Sequence, residues 1–235
     1  MSSPERLEWL DFIRRLDWQQ GEHVALVGPT GGGKTTLALA ILRARRHVIA
    51  LGCKPEDATL KALTRKGSGY KLIRELDQRD RMHERYVLWP KYDRRSDIVN
   101  QQRVFRETFD ELFVERNWCV FADEVTYLAK RLGLEHSLKD WWQQGRSIGL
   151  TLVGATQRPY HVPLEMWSQS THLFIWRLTD RRDLDRIGNI SGAVDTGDIR
   201  KWVTQLRIDP PNGVHECLYV NTRTGAVAIT QAPRV

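Results

Sequence analysis

The chain has 235 residues, of which 41% are hydrophobic and 28% are charged, and its formal net charge at pH 7 is +7. These values suit one α/β domain and favour a polyanionic partner. The sequence contains no apolar run of about 18 residues, the length of a membrane span, and its first residues lack the features of a signal peptide. The three cysteines lack the spacing of a metal site, and their odd number argues against a disulfide framework. A reducing cytoplasm is therefore predicted.

Residues 1–20 are predicted to form a helical flank, ahead of one domain over residues 21–235. Ser3 is a favourable N-cap and Pro4 a favourable first helical residue, so the helix is expected to begin near Glu5. Apolar residues recur at helical spacing in this stretch: Trp9, Phe12, Ile13 and Leu16. This stripe predicts packing against the domain or against a neighbouring subunit.

The next segment, residues 23–42, combines an apolar strand, a glycine-rich turn and the start of a helix. It matches the pattern G-x-x-x-x-G-K-[ST], in which backbone N–H groups and a helix N-terminus surround a phosphate. A glycine-rich linker would lack the flanking strand and helix. The predicted nucleotide-binding residues are Gly28, Pro29, Thr30, Gly31, Gly32, Gly33, Lys34, Thr35 and Thr36. Lys34 is expected to contact the β- and γ-phosphates and Thr35 to bind Mg²⁺, so the sequence predicts a nucleoside triphosphate site.

Two further strands and a long helix are predicted before the second acidic motif. Residues 47–51 and 86–90 are short apolar strands, the second ended by Pro90, and residues 96–116 show helical apolar spacing. The stretch over residues 53–95 is the least regular part of the chain, and it is rich in Lys and Arg.

An apolar run that ends in two acids follows, over residues 118–124. It predicts a buried parallel strand that delivers Asp123 and Glu124 to the carboxyl edge of the sheet. Asp123 is the expected Mg²⁺ residue and Glu124 the expected general base, with a solvated strand end or a helix cap as the alternative for either. The chain between Lys34 and Asp123 leaves room for a strand between the loop strand and the Asp123 strand. The second acid favours hydrolysis for mechanical work.

A helix over residues 134–144, closed by glycines, precedes a strand over residues 150–155. If that strand lies beside the Asp123 strand, Gln157 at its end can hydrogen-bond the γ-phosphate or the lytic water. Arg146 and Arg158 are both candidates for an arginine that stabilises transition-state charge in a neighbouring subunit's site. From position alone, a solvated or structural role stays open for Gln157, Arg146 and Arg158.

The remaining predicted elements are a strand over residues 171–176, a helix beginning near 180–187, and a hairpin. The hairpin strands are residues 215–220 and 226–230. Together with the earlier elements they predict an α/β fold with a mainly parallel central sheet flanked by helices.

Three stretches carry more specific information than the phosphate loop. They are Phe121-Ala122-Asp123-Glu124, Gly145-Arg146 with Gly149-Leu150, and Gly154-Ala155-Thr156-Gln157-Arg158-Pro159. Together they resemble the HerA–FtsK group of ring-forming, DNA-pumping ATPases, and the resemblance extends from about Gly21 onward. It implies a RecA-like phosphate-loop fold with an additional strand and a catalytic glutamate. It also implies ATP as the nucleotide, since no residue in the sequence marks the base.

The resemblance further implies a ring, commonly a hexamer or pentamer, that surrounds double-stranded DNA and holds its ATP sites between subunits. Arg146 is then the preferred arginine supplied to the neighbouring site and Gln157 the sensor, alongside Glu124 and Lys34 in the catalytic set. Basic pore loops would contact the phosphate backbone. The candidates for these loops are Lys54, Lys61, Arg65, Lys66, Lys130 and Arg131, with a solvated basic face as the alternative for each.

The sequence shows no membrane anchor, winged-helix domain, nuclease domain or helical insertion. This favours an ATPase that packages viral or phage DNA into a preformed capsid, in the host cytoplasm, with the capsid or its portal vertex as a partner. Three alternatives stay open. They are a cellular HerA-like translocase acting with a separate nuclease, an assembly or secretion ATPase that does not act on DNA, and a ring that binds nucleotide but hardly hydrolyses it. Intact Lys34, Asp123 and Glu124 disfavour the last.

Overall fold

The computed structural model of the chain describes residues 3–80, 82–188 and 194–233. The strands are β1 (Glu5–Arg6), β2 (His23–Val27), β3 (Val48–Leu51), β4 (Lys71–Ile73), β5 (Arg85–Leu88), β6 (Cys119–Ala122), β7 (Thr151–Thr156), β8 (Ser170–Trp176), β9 (Ile208–Asp209), β10 (Val214–Asn221) and β11 (Val227–Gln231). The α-helices are α1 (Trp9–Arg15), α2 (Lys34–Leu42), α3 (Ala58–Leu63), α4 (Ile98–Glu115), α5 (Glu135–Gln144), α6 (Glu165–Ser168), α7 (Arg181–Gly188) and α8 (Thr196–Thr204). A π-helical turn spans Tyr127–Arg131 and a 3₁₀ turn spans Gly145–Ile148. The predicted flank and domain include residues 1, 2, 81, 189–193, 234 and 235, which lie outside the described ranges.

The described strands form an 11-stranded sheet in the order β1-β11-β10-β8-β2-β7-β6-β3-β5-β4, with β9 paired to β10. The strands from β8 to β4 run parallel to one another, and β10 runs antiparallel to both β8 and β11. Strand β7 lies between β2 and β6, with Val153 opposite Val24 on one side and Leu152 opposite Val120 on the other. The predicted mainly parallel sheet and its additional strand are confirmed.

Strands β2, β3, β6 and β7 are buried along their whole length, because helices cover both faces of the sheet. One hydrophobic cluster includes Phe12 of α1 with Leu37 and Ile41 of α2. The other includes Phe105 of α4 and Trp141 of α5. Since the buried strands are parallel, the carboxyl ends of β2, β6 and β7 meet at one edge of the sheet, which we call the carboxyl edge; the opposite one is the amino edge.

The prediction of a helix that begins near Glu5 is wrong. Glu5 lies in β1, which pairs in parallel with β11, and α1 begins at Trp9. The backbone N–H of Leu7 donates to the carbonyl oxygen of Ile229 (2.8 Å). Residues 5–7 therefore satisfy backbone groups on the edge of β11 that would otherwise be left to solvent. This gain outweighs the local N-cap signal at Ser3.

The apolar stripe of α1 packs on the sheet of its own chain. The Phe12 ring meets the rings of Phe174 and Tyr219 edge-on, with centroids 5.7 and 5.0 Å apart. The flank was predicted to pack either on the domain or on a neighbouring subunit. For Phe12, the structure shows packing on the domain.

Two helices that the sequence analysis did not predict, α3 and α8, begin at aspartate N-caps. The Asp57 side chain accepts hydrogen bonds from the backbone N–H groups of Thr59 and Leu60, and Asp195 does the same at the start of α8. Among the helices of the described ranges, none combines the length and the hydropathy that crossing a bilayer requires.

Candidate nucleotide-binding site

The glycine-rich loop joins β2 to α2 at the carboxyl edge. Gly31 and Gly33 have φ angles of 77° and 92°, which favour glycine because it lacks a Cβ atom. A Cβ atom on Gly28 would lie 2.5 Å from the Cβ of Trp176, the last residue of β8. The buried Trp176 side chain therefore supports the loop and excludes any residue larger than glycine at position 28.

Lys34, the first residue of α2, is buried. Its ammonium group donates to the carbonyl oxygens of Gly28 (2.8 Å) and Pro29 (2.9 Å). Burial lowers the pKa of Lys34, while the carboxylates of Asp123 and Glu124 act in the opposite direction. Neutral carbonyls thus hold the ammonium inside the loop, and a phosphate oxygen can replace them with a stronger, charge-assisted hydrogen bond.

Thr35 and Asp123 supply oxygen ligands of the kind that Mg²⁺ prefers. The Thr35 hydroxyl donates to Asp123 Oδ1 (2.9 Å), and the Lys54 ammonium lies 3.5 Å from Asp123 Oδ2. Mg²⁺ is commonly bound through one or two carboxylates together with substrate phosphates. Within the described residues, no cluster of three or more His, Cys, Asp or Glu side chains could hold a metal ion. The donor set therefore fits a Mg²⁺ ion that arrives with nucleotide phosphates.

Glu124, Gln157 and Thr30 form a hydrogen-bonded chain at the same edge. Gln157 follows β7, the neighbour of β6, and its side-chain amide donates to Glu124 Oε2 (3.3 Å). The Thr30 hydroxyl donates to Gln157 Oε1 (2.9 Å). Burial, followed by the negative charge of Asp123, raises the pKa of Glu124. A carboxylate of raised pKa is better suited to accept a proton from water.

These side chains line one cleft of about 290 Å³ at the carboxyl edge. The phosphate loop and the start of α2 contribute Thr30, Gly31, Gly33, Lys34, Thr35 and Thr36, and Thr59 of α3 lines the same cleft. The structure therefore brings six of the nine predicted loop residues together with Asp123, Glu124 and Gln157 in this cleft, while Gly28, Pro29 and Gly32 lie in the same loop outside its lining. Their catalytic roles stay predictions.

Lys54 lines the nucleotide cleft beside Asp123, a different position from that expected of a DNA-contacting loop. The other five candidates for DNA contact have exposed side chains. They are Lys61, Arg65 and Lys66, in and after α3, and Lys130 and Arg131, in the π-helical turn. Lys61 is paired with Glu56. Contact between these residues and DNA stays a prediction.

A buried glutamine connects the end of β3 to the π-helical turn. Gln101 of α4 is fully buried, and its amide lies 3.3 Å from the carbonyl oxygens of both Gly52 and Cys53. It accepts a hydrogen bond from the hydroxyl of Tyr127 (2.7 Å). Single π-helical turns are frequent at functional sites. The two basic segments that follow β3 and β6 are therefore held in a fixed relation beside the cleft.

The two candidate arginines have different surroundings. Arg158 lies 2.9 Å from Asp180 Oδ2 and 3.0 Å from Asp183 Oδ2, and Asp183 is buried. Arg146 lies at the amino edge, in the 3₁₀ turn before β7, where its carbonyl oxygen packs against Gly21. Its side chain is exposed and makes no hydrogen bond or ion pair with any described residue. Arg158 is therefore held by two carboxylates, whereas Arg146 has no such partner among the described residues, and the role of either arginine in catalysis stays a prediction.

Sequence reasoning missed several residues around the cleft. Trp176 was predicted in a strand, but only the pairing of β8 with β2 brings it to the loop. Thr126 and Thr156, whose hydroxyls are 3.1 Å apart, join the end of β7 to the turn after β6. The sequence signal for these contacts is weak because they depend on which strands are neighbours.

No protein-family model and no curated protein matches the chain. Among solved structures, the chain is similar to the genome packaging NTPase B204 from Sulfolobus turreted icosahedral virus 2, with a TM-score of 0.66 and 15% identity over 92% of this chain and 99% of that chain. It is also similar to the pCW3 conjugation coupling protein TcpA, with a TM-score of 0.58 and 14% identity over 92% of this chain and 61% of that one. EssC (ATPases 2 and 3) from Geobacillus thermodenitrificans gives a TM-score of 0.55 and 14% identity, over 93% of this chain and 41% of that one.

These similarities confirm the predicted α/β phosphate-loop fold. At identities of 14–15% they establish the fold alone. The resemblance to HerA–FtsK ATPases that the sequence motifs suggested is thus confirmed at the level of the fold.

Proposed function

We propose that this protein is an ATP-hydrolysing motor that translocates double-stranded DNA as a homo-oligomeric ring. The observation that carries the proposal is the convergence in one cleft of Lys34, the Thr35–Asp123 pair, and Glu124 with Gln157. Proteins of the same fold support it: B204 is a genome packaging NTPase solved with AMPPCP, and TcpA is a conjugation coupling protein solved with ATPγS.

In the proposed reaction, the N–H groups of the loop and the ammonium of Lys34 bind the β- and γ-phosphates. Thr35 and Asp123 would hold Mg²⁺, which neutralises phosphate charge when bound. Glu124 accepts a proton from water as the water oxygen bonds to the γ-phosphorus and the bond to the β–γ bridging oxygen breaks. ADP and phosphate are the products. Gln157 orients the water or the γ-phosphate and responds to the loss of that phosphate.

The position of Arg146 supports the proposed ring. The six residues of β7 separate Arg146 from the cleft of its own chain, and a strand advances about 3.3 Å per residue. That separation exceeds the reach of an arginine side chain. A head-to-tail contact would bring the amino edge of one copy to the carboxyl edge of the next, and such heterologous contacts form a ring when the rotation between neighbouring copies closes. The proposed ring is a pentamer or a hexamer.

DNA is the proposed substrate because the chain is strongly basic and its candidate basic loops follow strands that end at the nucleotide cleft. The net charge is +7. Gln101 joins the end of β3 to Tyr127, three residues after Glu124, and we expect the exposed basic side chains that follow β3 and β6 to move during hydrolysis. Contacts with phosphates would be independent of sequence, as a translocating motor requires.

In the most specific form of the proposal, the DNA is a viral or phage genome and the destination is a preformed capsid in the host cytoplasm. The capsid or its portal vertex would then be a partner. The similarity to B204 over 92% of this chain supports this form. A cellular HerA-like translocase that acts with a separate nuclease is a motor of the same class.

A second candidate function is an ATPase that acts on protein, since EccC from Thermomonospora curvata, with a TM-score of 0.55, was solved with a signal sequence peptide.

Steady-state ATP hydrolysis, measured with and without long double-stranded DNA at low and moderate salt, tests the proposal. We expect strong stimulation by DNA that weakens as salt rises, because phosphate contacts release counterions. Glu124→Gln is the control for hydrolysis by contaminating enzymes. Hydrolysis that DNA does not change at either salt concentration would contradict the DNA motor and favour the protein-directed ATPase.

A further inference from the structure

The backbone is strained where α4 ends, directly before β6. Arg116 has φ 66° and ψ 171°, a region that is essentially restricted to glycine. Asn117 follows with φ 57°, in the left-handed region that asparagine tolerates better than most residues. Helices commonly end on glycine at such a position, because glycine adopts positive φ angles without steric cost. An arginine at position 116 therefore lowers the stability of the fold, and strain of this kind clusters at functional sites.

The strained turn packs against the segment that carries Arg146. The N–H of Asn117 donates to the carbonyl oxygen of Ile148 (3.2 Å). A Cβ atom on Gly149 would lie 2.1 Å from Asn117 Oδ1, and Gly149 itself has φ 73°. Arg116 and Arg146 thus precede two neighbouring strands, β6 and β7, at the amino edge.

Both arginines have exposed side chains. Neither guanidinium makes a hydrogen bond or ion pair with residues 3–80, 82–188 or 194–233. Arg79, Arg103 and Arg207 are each paired with a carboxylate, whereas Arg106 of α4, like Arg116 and Arg146, has no side-chain hydrogen bond or ion pair with a described residue. Two exposed guanidinium groups that precede adjacent strands can each pair with an oxygen of an anion from outside the chain.

We infer that Arg116 is a second arginine which, together with Arg146, contacts the phosphates of the nucleotide bound at the carboxyl edge of a neighbouring copy. This inference rests on the proposed ring and adds a catalytic residue to it. Two guanidinium groups can engage separate oxygens of the triphosphate and stabilise the charge that develops during transfer. The fixed turn restricts the backbone of Arg116, which reduces the entropy lost when the side chain engages the neighbouring site.

The variant Arg116→Gly separates backbone strain from side-chain function. Glycine adopts the angles of residue 116 without strain, so we expect the melting temperature to rise by about 2–4 °C. We expect DNA-stimulated hydrolysis to fall on the order of 10- to 100-fold, because a transition-state contact is lost. Arg106→Ala removes another exposed arginine from α4 and is the matched control, expected to change neither quantity. Turnover at the wild-type rate, or lost turnover with a lower melting temperature, would overturn the inference.

Mixed rings test whether Arg116 acts across the subunit interface. Arg116→Gly subunits keep an intact cleft, and Glu124→Gln subunits keep both arginines. A mixture is therefore expected to hydrolyse ATP faster than the sum of the two separate proteins. The mixture of Arg146→Ala with Glu124→Gln is the reference. Rescue in the reference alone would overturn this inference and leave the ring proposal intact, whereas rescue in neither mixture would contradict both.

Two further measurements distinguish a nucleotide phosphate from other contacts. We expect Arg116→Gly to keep the wild-type affinity for DNA, the salt dependence of that affinity, and the oligomeric state in sedimentation velocity. Weaker DNA binding with unchanged basal hydrolysis would assign Arg116 to the polynucleotide and overturn the inference. Loss of the oligomer would assign it to subunit packing, with the same consequence.

Discussion

The two edges of the central sheet differ in how their charged groups are satisfied. At the carboxyl edge, Lys34 bonds to loop carbonyls and Asp123 bonds to Thr35. At the amino edge, Arg146 and Arg116 are exposed and have no side-chain partner in the described ranges. At the carboxyl edge, Lys34 and Asp123 can exchange these partners within the chain for the phosphates and Mg²⁺ of a bound nucleotide. Other charged groups at the amino edge are paired within the chain, such as Arg46 with Glu84, and the neighbouring copy of the cleft is the partner we propose for Arg146 and Arg116.

The largest expected effect concerns the carboxyl edge and is that of Glu124→Gln. Glutamine keeps the shape of Glu124 but cannot accept a proton, so turnover should fall by roughly 10²–10⁴-fold. Nucleotide binding should persist, because Lys34 and the loop are unchanged, and calorimetric titration with a non-hydrolysable analogue measures it. Lys34→Ala is the matched variant that should lose binding. Wild-type turnover in Glu124→Gln would show that another group is the base.

Substitution of Arg158 tests whether this arginine is structural. Arg158→Ala leaves the buried carboxylate of Asp183 without its ion-pair partner. The free energy of unfolding should fall by about 3 kcal/mol, the low end for a broken buried pair because Arg158 is half exposed. Urea denaturation measures this change, and Asp183→Asn in the same chain should recover part of it. A large loss of turnover with unchanged stability would instead make Arg158 the arginine that acts on nucleotide.

Gln157→Ala removes the hydrogen-bonded link between Glu124 and Thr30. We expect turnover to fall on the order of tenfold, the effect of one hydrogen bond to a charged group in the transition state. Nucleotide affinity should change little. Gln143→Ala, at an exposed position of α5, is the control. Equal turnover in the two variants would exclude a role for Gln157 in hydrolysis.

The smallest expected effect is a pH dependence at the amino edge. Burial, followed by the positive charge of Arg146, lowers the pKa of His23 to about 4 from its ordinary 6.5. The unfolded chain therefore binds this proton more readily than the folded one. The stability contributed by neutral His23 is complete above pH 6.5 and is lost as the pH falls toward 4. At about pH 5.5 the loss is on the order of 1 kcal/mol.

His23→Asn should remove that part of the acid dependence, since asparagine can accept the hydrogen bond that Leu152 N–H donates to His23 Nδ1 (2.9 Å). Thermal unfolding near neutral pH and near pH 5.5 (about one unit below the ordinary pKa) measures the difference. Arg146→Ala should reduce the loss by removing a positive charge. The same acid dependence in wild type and His23→Asn would contradict the assignment.

The carboxyl edge could be predicted from the sequence because its signals are local. The phosphate loop lies within a few residues of its strand and helix, and Asp123 and Glu124 directly follow an apolar run. Parallel strands then bring such strand ends to one edge without further information. The placement of Trp176 against the loop needs the strand order, in which β8 is beside β2.

The N-terminus and the amino edge could not be predicted in the same way. The N-cap signal at Ser3 predicted a helix, but the residues that follow pair as β1 with β11, a segment far away in the sequence. Asp57 and Asp195 were N-cap signals, but the helices behind them are short. Asn117 is a weak sequence signal for a turn of positive φ, but no glycine is present there and nothing marks Arg116 itself.

The central claim is that the amino edge of one copy completes the cleft of the next, and hydrolysis by mixed subunits tests it most directly. Arg146→Ala and Glu124→Gln proteins, each nearly inactive alone, are combined over a range of ratios with DNA present. We expect turnover above the sum of the separate proteins, with a maximum at intermediate ratios, because the intact cleft of an Arg146→Ala subunit receives Arg146 from its neighbour. Activity that equals the sum at every ratio would contradict it.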